Sequence, residues 1–168
     1  MSERILHDQE IGRNHPWAGF LGLDKSGSTQ AKLASGKSIS EMVVTMANNV
    51  IDGLRGRAVK GKEIRRYYQI GVFFYSTDME GNPIVESAFP WTQEPMPWID
   101  EIALQARLEE RIVKGVDPET GEEVDQKKPF PVFIENVQPD GGTPMGSMYD
   151  KAYEVLKPIS ENHQDCNP

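Results

Sequence analysis

Gly19-Phe20-Leu21-Gly22-Leu23-Asp24-Lys25-Ser26-Gly27-Ser28-Thr29 opens as a short apolar run and stops at an acid followed by small hydroxyl residues. A run of that length ending in a turn predicts a strand, Trp17–Leu23, buried on both faces inside a parallel sheet. In such sheets ligands sit beyond the carboxyl ends of the strands, so Asp24, Ser26 and Ser28 emerge where a site is expected. Every second side chain of an extended chain points the same way, which sends the carboxylate and the two hydroxyls to one rim. These are hard oxygen ligands. They suit Mg²⁺, Mn²⁺ or Ca²⁺ and suit zinc poorly.

Downstream, Ser38-Ile39-Ser40-Glu41 has the form of a capping box. Ile39, Val43, Met46, Val50 and Leu54 then recur at helical spacing and predict an amphipathic helix over Ile39–Leu54, ended by Gly56, with its methionines in the core. Arg66–Tyr75 is aromatic and β-branched and predicts the second strand, followed by a turn over Met79–Pro83 and a short strand, Ile84–Phe89. Trp98 to about Arg111 reads as a helix, although Arg107–Val113 also suits a strand. Gly115-Val116-Asp117-Pro118-Glu119-Thr120-Gly121-Glu122 is turn chemistry and makes 112–128 an exposed, hairpin-like insertion with an acidic tip. Val132–Val137 is a short strand or extended loop, and a last helix is expected over Met145–Leu156, stopped by Pro158. Residues 1–16 read as a polar arm.

Gly141-Gly142-Thr143-Pro144-Met145-Gly146 is the other informative stretch. Pro144 suits the first position of a helix, which makes Thr143 its N-cap on local grounds. The two glycines also permit close approach to a ligand, so the Thr143 hydroxyl is a candidate to face an ion held by Asp24, Ser26 and Ser28.

In order and spacing, the Asp24-x-Ser26-x-Ser28 motif, the helix from Ile39, the strand ending at Tyr75 and the Gly141–Gly146 stretch resemble a von Willebrand factor A domain. The resemblance covers most of the chain. It implies a Rossmann-like, doubly wound α/β fold with a mostly parallel sheet, an architecture that the alternation of strands and helices also favours. It further implies a metal-ion-dependent adhesion site in which Asp24, Ser26, Ser28 and Thr143 hold a divalent cation, usually Mg²⁺. One departure is large: the family continues with a further buried strand ending in an aspartate, whereas here the polar Asp165-Cys166-Asn167-Pro168 stands in that place. The final strands of the domain are therefore expected to be missing, and either self-association or a complementary chain is expected to complete the sheet.

At 168 residues the chain suits one domain over 1–168. A net charge of −8 argues against nucleic acid or an anionic membrane as partner. A single cysteine, Cys166, with no apolar run of membrane-spanning length and no signal peptide, fits a cytoplasmic setting. His7, His15 and His163 have no zinc spacing. The expected function is a non-enzymatic, metal-dependent protein-interaction module whose cation bridges to a partner's carboxylate. The alternatives are a nucleotide-binding enzyme built on the P-loop-like segment Ala31–Ser38, which has Ala31 in place of the first glycine, and a metal-dependent hydrolase using Asp24.

Overall fold

The computed structural model describes residues 11, 16–118 and 120–162. The arm expected over 1–16 lies almost wholly outside these, as do His7, His15, His163 and Cys166. The chain begins with β1 (Trp17–Asp24), a 3-10 turn at Gly27–Gln30 and α1 (Ile39–Ala58). A minimal hairpin of β2 (Val59–Lys60) and β3 (Glu63–Ile64) precedes β4 (Tyr68–Thr77) and β5 (Pro83–Ser87). Then come α2 (Ile99–Leu104), the long strands β6 (Arg107–Val116) and β7 (Glu123–Val132), and α3 (Met145–Asn162).

Among the described residues the strands form three separate sheets, β1-β4-β5, β2-β3 and β6-β7. Of these pairings β1 with β4 is parallel and the others are antiparallel. The expected Rossmann-like, doubly wound, mostly parallel sheet is thus not what the chain forms. The reason is how the strands are connected. A helical crossover joins parallel neighbours only once, through α1. The chain then doubles back from β4 to β5 through a tight turn, and its longest remaining strands pair with each other alone.

Among the described residues β1 lies at the edge of its sheet, paired with β4 alone. Its neighbour β4 is the central strand, with a nearly unbroken buried run from Tyr68 to Ser76. Two of the β1 residues are glycines, and its first residue, Trp17, stays 42% exposed with its ring lying over Gly19. Val72 and Phe74 point to the α1 side of the sheet, where they share a core with Leu23, Val44, Ala47 and Ile51. Phe73 points the other way, stacks on Phe20 at 5.1 Å and packs with Val155 of α3.

The Ser38 capping box forms as expected: the Glu41 N–H donates to Ser38 Oγ (3.1 Å) and the Ser38 N–H to Glu41 Oε2 (2.6 Å). The face that α1 buries is another matter. Val44, Ala47, Asn48, Ile51 and Ala58 face inward, while Ile39, Met42, Met46 and Val50 are exposed. The helix carries two apolar stripes, and the one through Val44, Ala47 and Ile51 packs on the sheet. Two further corrections concern lengths. The helix expected to about Arg111 ends at Leu104, because Arg107–Val116 pairs along its whole length with β7. The last helix runs through Pro158 to Asn162; the carbonyl that Pro158 leaves without a donor belongs to the exposed Glu154, where water can serve it. Among the described residues no helix is long and apolar enough to cross a membrane.

Candidate metal centre

Asp24 ends β1 and lies opposite Tyr75 in the parallel register. Its Oδ1 accepts the Ser26 N–H at 2.7 Å, a local turn that fixes the carboxylate. The Ser26 carbonyl accepts both the Thr29 N–H (3.0 Å) and the Thr29 hydroxyl (2.7 Å). These bonds wind the 3-10 turn and bring the Ser28 hydroxyl back to 3.0 Å from that of Ser26, which is only 2% exposed. Asp24, Ser26 and Ser28 therefore gather at one strand end.

The second loop is bonded onto the first. The Asp140 N–H donates to the Lys25 carbonyl (2.8 Å), the Gly27 N–H to the Gly141 carbonyl (2.9 Å), and Gln30 Nε2 to the Pro139 carbonyl (2.8 Å). The Gly142 N–H donates to Thr77 Oγ1 at 2.6 Å. Gly141 has φ +72°, and a Cβ there would stand 2.0 Å from the Thr77 carbonyl oxygen, so no other residue fits without moving the loop. Thr143 follows this anchored pair and is exposed. Its carbonyl accepts the Met145 N–H at 3.0 Å. Among the described residues its hydroxyl makes no hydrogen bond, either as an N-cap or to Asp24, Ser26 or Ser28. The chain thus brings the Thr143 loop against the Asp24 loop and leaves that hydroxyl uncommitted.

Around the site, burial first, then the Asp24 carboxylate and then Tyr149 push the Tyr75 phenol above its ordinary pKa, so it stays protonated. Lys25 is drawn aside to Glu86 of β5 at 3.1 Å. Asp78, the other acid near a strand end, is committed to its own turn: it accepts the Glu80 N–H, the Asn82 N–H and the Asn82 side chain. The Asn82 bonds hold its carboxyl below the usual range. Among the described residues no three His, Cys, Asp or Glu side chains cluster as metal ligands. The donor set at β1 is one carboxylate with hydroxyls.

The P-loop-like segment has another occupation. Glu41 fills the N-terminus of α1 with its own carboxylate, and the Ile39 N–H donates to the Ala31 carbonyl at 3.0 Å. Residue-by-residue reading missed Thr77, Tyr75 and Gln30. Thr77 was visible only as one of several polar residues at a strand end; its partnership with Gly142 spans 65 positions. Compared with protein-family models, curated proteins and solved structures, the chain matches none.

Proposed function

We propose that the chain is a metal-dependent protein-interaction module of the kind suggested by its resemblance to von Willebrand factor A domains. Asp24, Ser26 and Ser28 hold a divalent cation, and Thr143 is a further ligand brought by the adjoining loop. The observation carrying this reading is the 3.0 Å separation of the Ser26 and Ser28 hydroxyl oxygens beside an oriented carboxylate. Neighbouring ligands of an octahedral Mg²⁺, at about 2.1 Å from the ion, stand about 3.0 Å apart. The hydroxyl pair matches that spacing.

The chain's own residues divide the work. Asp24 contributes one negative charge, the hydroxyls contribute none, and Lys25 is turned away to Glu86. Bound there, a dication keeps net positive charge and supplies a Lewis-acidic position for a partner's carboxylate. The neutral Tyr75 phenol adds no charge to the site.

Calorimetric titration with MgCl₂ and MnCl₂ tests the reading. Wild type is expected to bind, Asp24→Ala to lose at least about tenfold in affinity, a change worth about 1.4 kcal/mol, and Ser26→Ala to lose less. Equal affinity in wild type and Asp24→Ala would overturn the assignment.

A further inference from the structure

The sequence holds two Asp-Gly steps, Asp52-Gly53 and Asp140-Gly141, and no Asn-Gly step. At such a step the main-chain nitrogen can attack the side-chain carboxyl just before it. Glycine favours the attack because no Cβ shields its nitrogen or narrows its backbone freedom. The fold treats the two steps in opposite ways.

Gly53 lies inside α1, where its N–H belongs to the helix ladder. The Asp52 carboxylate is held by Arg55, with Oδ1 at 2.8 Å from Nε and 2.7 Å from Nη2. A carboxylate kept charged by a guanidinium is a poor electrophile, because the hydroxyl of the neutral carboxyl is the group that leaves. Asp140 is exposed, and among the described residues no Lys or Arg pairs with it. The Gly141 N–H donates to Asp140 Oδ1 itself at 2.7 Å, which sets the nitrogen against the carboxyl it would attack. Gly141 belongs to no helix or strand, so no ladder bond has to break first.

We propose that Asp140-Gly141 is a site of spontaneous isoaspartate formation in the folded protein, and that the change unlocks the two loops joined at the end of β1. The Gly141 nitrogen bonds to Asp140 Cγ, and its proton leaves with the carboxyl hydroxyl as water, closing a five-membered succinimide. Water then adds to either ring carbonyl. Addition at Cγ restores aspartate. Addition at the main-chain carbonyl breaks its bond to the Gly141 nitrogen, and the chain then runs through Cβ and Cγ. One water leaves, one returns, and nothing is oxidised.

The rearranged backbone is longer by one carbon, about 1.5 Å. The loop has no slack to take it up. On one side of the insertion the Asp140 N–H is fixed to the Lys25 carbonyl at 2.8 Å. On the other, the Gly141 carbonyl holds the Gly27 N–H at 2.9 Å, and the Gly142 N–H is held by Thr77 Oγ1 at 2.6 Å. Gly141 already sits so close to Thr77 that an added Cβ would stand 2.0 Å from its carbonyl oxygen. The extra carbon therefore breaks one anchor or the other, and Thr143 leaves its place beside the Asp24 loop. The chemistry itself is independent of any bound metal.

Peptide mapping of the purified chain during incubation at neutral pH tests this, with electron-transfer fragmentation to tell isoaspartate from aspartate at equal mass. Isoaspartate should form at Asp140 at least about tenfold faster than at Asp52, since each 1.4 kcal/mol or so needed to open α1 locally slows the reaction about tenfold. In concentrated urea the two steps should react at comparable rates. Asp140→Asn should reach the same isoaspartate sooner, because its neutral side chain needs no protonation and releases ammonia. Hydrogen exchange at the Gly27 amide should speed up in proportion to the isoaspartate formed. In Asp140→Glu, whose carboxyl would have to close a six-membered ring, that exchange should stay constant over the same period. No isoaspartate at Asp140, equal rates at both steps in the native chain, the native preference persisting in urea, an Asp140→Asn chain that ages no faster, or a Gly27 amide indifferent to the change would each overturn the proposal.

Discussion

Gly141 does two things at once: its carbonyl takes the Gly27 N–H, and its positive φ lets the chain pass within contact of Thr77. Replacing it with alanine adds strain and a clash together. Gly36 separates the two effects, because it also has a positive φ, +81°, but a Cβ there meets nothing within 4 Å. Gly36→Ala should cost about 1 kcal/mol and Gly141→Ala about 2–4 kcal/mol. Thermal melts of both variants check the ordering, and equal costs would mean that the loop yields freely. Gly141→Ala should also weaken Mg²⁺ binding. At this scale, legibility followed sequence distance. Asp24, Ser26 and Ser28 are made by bonds spanning two or three positions, so their grouping could be read from spacing alone. The seat for Gly141 and Gly142 on Thr77 depends on which strand ends meet, and no local pattern encodes that.

Among the elements, α1 carries the clearest lesson. Its existence, its start at Ser38 and its capping box were all legible, because cap and period are local. Which side faces the sheet was not, since a helix with two apolar stripes satisfies the same period either way. The decisive residue is polar. Asn48 is 2% exposed; its amide donates to the Val44 and Ile134 carbonyls, and its Oδ1 accepts the N–H groups of Phe133 and Ile134. That side chain ties the chain after β7 to the helix. Asn48→Leu keeps the volume but strands three buried backbone groups, so it should destabilise the fold by about 2–5 kcal/mol. Hydrogen exchange should then speed up at Phe133 and Ile134 before it does in β4. Uniform acceleration in both places would show that Asn48 holds the whole core and not this junction.

For the molecule as a whole, the net charge of −8 works against binding to nucleic acid and to other acidic surfaces. The three-stranded sheet itself was only partly legible. The strand at Trp17 and the strand at Tyr75 were clear from composition, but their positions at edge and centre depend on partners that composition does not name. The long hairpin of β6 and β7 has a different consequence. Its strands alternate exposed and half-covered residues almost to the root, so it stands on its own ladder and not on the core. Ten residues of strand carry its tip about 33 Å outward. A dye or a fused peptide placed at Thr120 would ride on that arm as a passenger, reporting on the molecule's tumbling and neighbours without entering its interior.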